Sequence, residues 1–166
     1  MQKNSRGDLE TSIAISNTSP LIALKHAELL EKLSLLFKRI IVPPSVMREL
    51  SVKENEYFQS LDFLSVEESH DERMVAVLKT IVDEGEAEAI ALVLERGNLL
   101  IIDDSKGRKL AKRLGLKVIG TLGLLKTMKL KGLIEEIKSA IERLKKRGFY
   151  LSDDLVDRFL RDVGEK

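Results

Sequence analysis

The sequence predicts a three-layer α/β/α fold around a central parallel sheet of five strands. Short apolar runs alternate with longer amphipathic stretches along most of the chain. One run, Leu99-Leu100-Ile101-Ile102, holds no polar residue and lies between Gly97-Asn98 and Asp103-Asp104, as a strand covered on both faces reads. Glycines stand where amphipathic stretches stop, at Gly97, Gly115, Gly132 and Gly148, and glycine is the residue that most readily ends a helix.

The elements follow in order. Ile13 to Ser16 is the first strand, closed by the breaker group Asn17-Thr18-Ser19-Pro20. Thr18 or Ser19 caps the next helix, with Pro20 at its first position. Leu21 to Phe37 reads as helix, broken near His26. Arg39 to Val42 is the second strand, stopped by Pro43-Pro44-Ser45, which starts a helix through Leu50. Leu61 to Val66 is the third strand. Glu72 to Val82 and Glu84 to Arg96 are helices, and Leu99 to Ile102 is the fourth strand. Ser105 to Leu114 is helical, Leu116 to Ile119 is the fifth strand, and Leu122 to Lys131, Leu133 to Arg147 and Ser152 to Val163 are helices. Residues 1–11 read as a flexible polar tail, 12–131 as the α/β domain and 132–166 as a helical extension packed on it. Ile134, Ile137, Ile141 and Leu144 share one face of that extension and would pack on the core or form a dimer.

Composition narrows the chemistry. The chain has 166 residues, 43% apolar and 33% charged, with a net charge of +1, so no global basic field marks it for nucleic acid and any such contact needs a local patch. It has no cysteine and two histidines. That excludes disulfides, zinc ribbons and thiol catalysis, and leaves little for a His-rich metal site. No apolar run is long enough to span a membrane. The start lacks the apolar segment of a signal peptide, so a cytoplasmic protein is expected.

In open parallel sheets, ligands bind beyond the carboxyl ends of the strands, at the switch point. Asn17 closes the first strand, Asp103 and Asp104 the fourth, and Thr121 follows the fifth. Glu49 and Glu86 lie in helices between them. Glu86 falls at the flank of an apolar helix face, where a carboxylate is unfavourable unless paired or metal-bound. Asp83-Glu84-Gly85-Glu86 equally fits a capping box, and both readings stand. Glu49 borders an apolar face, or simply pairs with Arg48 or Lys53. Successive strand residues point to opposite faces, so Asp103 and Asp104 cannot serve one site equally, and Asp104 also fits a helix cap. Carboxylates converging at one edge repel unless a cation neutralises them. Oxygen-only ligands suit Mg²⁺ or Mn²⁺, and such ions support displacement at phosphorus. Arg108, one turn beyond Asp104, together with Lys106 and Lys109, is placed to hold a phosphate backbone.

Several segments together resemble the PIN-domain family, in the branch related to VapC-type toxins that is often catalogued as a domain of unknown function. They are Ile15-Ser16-Asn17-Thr18-Ser19-Pro20-Leu21-Ile22, Val42-Pro43-Pro44-Ser45-Val46-Met47-Arg48-Glu49-Leu50, Gly85-Glu86-Ala87-Glu88-Ala89-Ile90-Ala91-Leu92, Ile101-Ile102-Asp103-Asp104-Ser105-Lys106-Gly107-Arg108, Gly120-Thr121-Leu122-Gly123 and Arg147-Gly148-Phe149-Tyr150-Leu151-Ser152. The resemblance implies a Mg²⁺- or Mn²⁺-dependent ribonuclease fold. It places Asn17, Glu49, Glu86 and Asp104 in the catalytic positions, Glu49, Glu86 and Asp104 on the metal with Asp103 as the alternate for the last, and Thr121 at a peripheral site beside nucleic acid. It also implies RNA as substrate and a small antitoxin as partner; a homodimer is expected. Active PIN domains typically carry Asp where this chain has Asn17. An amide oxygen coordinates a cation without bringing charge, so the alternative is a catalytically weak module that binds RNA or protein. A phosphoacceptor receiver domain also uses an Asp pair on a parallel sheet, but there the pair follows the first strand, not the fourth.

Overall fold

A computed structural model describes residues 12–166; the expected tail, residues 1–11, lies outside the described residues. The elements are β1 (Ile13–Ser16), α1 (Thr18–His26), α2 (Leu33–Leu36), β2 (Arg39–Val42), α3 (Pro44–Glu54), β3 (Leu64–Val66), α4 (Glu72–Leu78), α5 (Glu84–Arg96), β4 (Leu99–Ile101), α6 (Ser105–Arg113), β5 (Val118–Ile119), α7 (Thr121–Leu130), α8 (Lys138–Lys146) and α9 (Asp153–Asp162). The five strands form one sheet in the order β3-β2-β1-β4-β5, every pair parallel.

Strand alternation sorts the core into two halves. Ala14, Ile40, Val42 and Ile101 pack with Leu21 and Leu24 of α1, Leu50 of α3, Leu125 and Met128 of α7, Ile141 and Leu144 of α8 and Leu160 of α9. Their strand neighbours Ile15, Ile41, Leu100 and Ile102 pack with Leu78 of α4, Ile90 and Leu92 of α5 and Ala111 of α6. Two adjacent strand residues thus enter different cores, as a period of two requires. This is the three-layer α/β/α arrangement expected of a βα alternation.

The first long helix breaks after His26, as expected: Glu28 takes a positive φ of 61°, a 3-10 turn spans Leu30–Lys32, and the guanidinium of Arg143 donates to the Ala27 carbonyl at 2.9 Å. Several other boundaries differ from the sequence reading. α1 starts two residues earlier than expected, so Asn17 flanks it and Pro20 is its third residue. The third strand is reduced to Leu64–Val66, because a 3-10 turn at Phe58–Ser60 and a Leu64-to-Leu61 backbone bond occupy what precedes it. α8 begins at Lys138 rather than Leu133. Glu165 accepts the amides of Ile137 at 2.6 Å and Lys138 at 2.9 Å and so caps the helix from 27 residues away. Burial opposes the charge on Glu165, but Lys129 and those amides hold its carboxyl below the usual range. Gly97 ends α5 in the left-handed region with φ 78°, which glycine adopts without a Cβ clash.

Leu144 is fully buried in the same core as β1 and α1. Leu144→Ala should therefore cost about 2–5 kcal/mol and lower the midpoint of a single cooperative denaturant transition. Two separate transitions in the wild-type chain would show instead that the C-terminal helices fold independently.

Candidate functional site at the β1/β4 crossover

The sheet order reverses at β1: the chain adds β2 and β3 on one side, then crosses to add β4 and β5 on the other. The crevice for a ligand lies between the carboxyl ends of β1 and β4. The amide of Asn17 donates to the Ile101 carbonyl at 3.0 Å, continuing the β1–β4 ladder one residue past the end of β1. Asn17 and Asp103-Asp104 therefore leave the sheet side by side.

Asn17 is 7% exposed. It holds the N-cap position of α1, yet its side chain makes no capping bond. Its Oδ1 lies 3.4 Å from where a Cβ on Gly85 would stand. The absence of a side chain at residue 85 lets the amide reach the start of α5, beside Glu86.

Glu86 is both a capping-box residue and buried. The capping box with Asp83 is present, with the Glu86 amide donating to Asp83 Oδ1 at 2.8 Å and Asp83 donating back to Glu86 Oε2 at 3.4 Å. The same carboxylate is 5% exposed. Burial first, then the charges of Asp83 and Asp104, push its pKa up to about 7, against the pull of the Asp83 amide; a side-chain hydrogen bond with Asp104 raises it further. A Cβ on Gly107 would stand at ordinary contact distance, 3.5 Å from Glu86 Cδ and 3.6 Å from Asp104 Oδ2, and would collide with Ile102 Cδ1 at 2.6 Å.

The acidic pair divides its work. Asp104 caps α6 by accepting the Gly107 amide at 2.8 Å and faces Glu86. Asp103 turns to β5, where its Oδ1 accepts the Thr121 amide at 2.7 Å and its Oδ2 the Thr121 hydroxyl at 2.5 Å. Thr121, expected beside nucleic acid, is 1% exposed and spends its hydroxyl on Asp103. Glu49 stands apart from Glu86 and Asp104. It is largely exposed, pairs with Lys53 at 2.9 Å and accepts the Thr18 hydroxyl at 2.9 Å. Arg48 goes to Glu84 instead. Arg108 donates through Nη1 to the Ile102 carbonyl at 2.9 Å, which leaves most of its five N–H donors for a ligand. Lys106 and Lys109 are exposed on α6.

Sequence reasoning took Thr18 for a helix cap and missed that it tethers Glu49. It also passed over Gly85 and Gly107, both inside helices, where glycine costs about 1 kcal/mol relative to alanine. That cost is the signal, since it implies a close approach in return.

A family profile described as PIN domain matches residues 13–165. The chain belongs to the PIN-domain family. No curated protein matches it. The PIN fold is a nuclease-type fold, and PIN domains are generally dependent on a divalent metal. The donors at the crossover fit that group in kind: a buried carboxylate whose ionisation is opposed by its neighbours, a second carboxylate beside it, and an amide oxygen. Among the described residues, no three acidic or histidine side chains are placed to hold one metal ion, and the donors considered at the crossover are two carboxylates and the amide. No described helix is long and apolar enough to cross a membrane.

The Glu86 shift has a stability consequence with a definite sign. Its folded pKa lies above its unfolded value, so the protonated carboxyl is the form the fold favours. The metal-free protein should lose stability as pH rises from about 4.5 through 7. Glu86→Gln keeps a capping-box residue but removes the titration. Between pH 5 and pH 8, wild type should lose on the order of 2 kcal/mol more than Glu86→Gln in chelator-treated unfolding experiments. Parallel pH curves for the two proteins would show that the carboxyl titrates normally.

Proposed function

We propose that this PIN domain is a Mg²⁺- or Mn²⁺-dependent ribonuclease whose metal is held by Glu86 and Asp104 with the Asn17 amide oxygen as a neutral third donor. The observation that carries the reading is the placement of the buried Glu86 against Asp104 at the β1/β4 crossover. Two carboxylates kept that close are stabilised by a cation, and their oxygens suit a hard one. The bound cation would neutralise phosphate charge and lower the pKa of a water. The chain's own contributions are positional. The bonds from the Asp83 amide to Glu86 and from the Gly107 amide to Asp104 fix both carboxylates at the starts of two helices, so neither must be ordered when substrate arrives. Arg108, fixed by the Ile102 carbonyl, and the exposed Lys106 and Lys109 offer positive charge to an RNA backbone on the same edge. Glu49, held by Thr18, is near the end of β1 and contributes field more directly than contact.

Asn17 favours a second reading, a module that binds RNA or a protein such as an antitoxin with weak or no cleavage, because an amide brings no charge to the metal. The two readings separate cleanly. Cleavage of RNA by the purified chain should require Mg²⁺ or Mn²⁺, stop with chelator, and fall at least about 100-fold in kcat in Asp104→Asn. RNA binding without metal-dependent cleavage establishes the second reading; cleavage unchanged in Asp104→Asn belongs to a contaminant.

A carboxylate at residue 17 completes a three-acid set. Asn17→Asp should bind Mn²⁺ about tenfold or more tightly by calorimetry, while the metal-free variant melts lower than wild type because a third negative charge joins Glu86 and Asp104. Equal Mn²⁺ affinity in the two proteins would remove residue 17 from the metal.

A further inference from the structure

Beside the carboxylates the chain builds a cavity of about 600 Å³, a size that takes a nucleotide. It begins at Asp103, the residue before Asp104, and runs past Arg108 and the start of α7 to the loop between α8 and α9. Its apolar wall comes from Leu122 on α7 and from Phe149, Leu151 and Leu155 near the C-terminus. Tyr150 also lines it, although 87% exposed. An aromatic ring left in water at the lip of a cavity offers a free face for stacking. The Arg108 guanidinium, also in the lining and tied at one nitrogen to Ile102, offers donors to an anion. Gly120 lines the cavity next to it. A Cβ there would meet Asp103 Oδ1 at 2.6 Å and Arg108 Nη1 at 2.9 Å, so glycine is what lets both side chains cross the strand end.

We propose that this cavity is a subsite for one nucleotide of the RNA, its base stacked on Tyr150 against Phe149 and Leu155 and its phosphate held by Arg108. The proposal rests on the ribonuclease reading for its substrate class but not for its geometry. Three features select this occupant. The cavity is lined by a cation, Arg108, and by an exposed aromatic, Tyr150, the two groups that a nucleotide's phosphate and base require. It starts one residue from the carboxylate edge, because Asp103 lines it and Asp104 follows Asp103 in the chain. Its aromatic wall comes from the segment around Gly148 to Leu155, which the packing of α8 and α9 brings to the edge of β5.

The chain has two tyrosines and no tryptophan, so in a Tyr57→Phe background Tyr150 is the only strong intrinsic fluorophore. Titration of that chelator-treated protein with AMP, GMP, CMP and UMP should quench Tyr150 at one site, and calorimetry on the wild-type chain should give the same affinity. Tyr150→Ala should weaken the best nucleotide by about tenfold and leave ribose 5-phosphate unaffected, while Leu155→Trp, which fills a partly exposed part of the wall, should block nucleotide and spare folding. In an RNA cleavage assay Tyr150→Ala should raise KM about tenfold with little change in kcat and flatten the base preference. Equal nucleotide affinity in wild type and Tyr150→Ala overturns the subsite, as does an equal loss for ribose 5-phosphate. Failure of all four nucleotides to bind at millimolar concentration also overturns it and points to a protein side chain as the occupant. Tyr150-dependent nucleotide binding in a chain that cleaves nothing sustains the subsite and sinks the nuclease reading. Metal-dependent cleavage with an unchanged KM and base preference in Tyr150→Ala does the reverse.

Discussion

Glu86 keeps a carboxyl group out of water beside Asp83 and Asp104, and much of the surrounding chain is shaped by that constraint. A buried carboxylate without compensation is costly. Here the compensation is partial: one backbone amide, that of Asp83, donates to the carboxyl, and its pKa is pushed up to about 7. The arrangement needs the two helices that carry these acids to start at the same place. Parallel pairing of β1 with β4 supplies this, because α6 follows β4 directly and α5 packs on the same core through Ile90 and Leu92. Two poor helix residues in the first turns of these helices answer to close packing: a Cβ on Gly85 would press on Val46 at 3.3 Å and one on Gly107 would collide with Ile102 at 2.6 Å.

Asp103 and Asp104 show how period-two geometry assigns roles to neighbours. Only Asp104 reaches Glu86. Asp103, turned the other way, fastens the start of α7 through both the amide and the hydroxyl of Thr121. That clamp fixes the end of β5, a strand of only two residues, and one side of the cavity that Arg108 shares. Asp103 therefore belongs to the site by positioning what surrounds the metal edge, while Asp104 faces it.

Local rules made much of this legible. The capping box at Asp83, the cap at Asp104, the apolar run of β4 and the stop at Gly97 are encoded within a few residues, and each stands as the spacing predicts. The adjacency of Asn17 to the end of β4, seen in its backbone bond to Ile101, followed from the switch-point rule once the alternation of elements was read. Other features are set from afar: Glu165 decides where α8 begins, Arg143 holds the expected break after α1, and Thr18 holds Glu49. No window of the sequence contains both partners of these bonds. The family resemblance carried Glu49 into the metal set by motif order, whereas its contacts to Thr18 and Lys53 keep it half in solvent.

Asn17 gains a physical rationale from Glu86. A carboxylate at that position would be the third acid around a group whose ionisation is already opposed by burial and two charges. Without a cation, the fold would have to protonate one of them or tolerate the repulsion. In the proposed metal site the amide would provide an oxygen at the same place and add no charge, so the metal-free protein would be less costly to fold while its hold on a cation would be weaker. On that proposal metal affinity and metal-free stability are opposed at residue 17. Because residue 17 also continues the β1–β4 ladder through its backbone, which no substitution but proline removes, this balance can shift by a single side chain without disturbing the sheet that carries it.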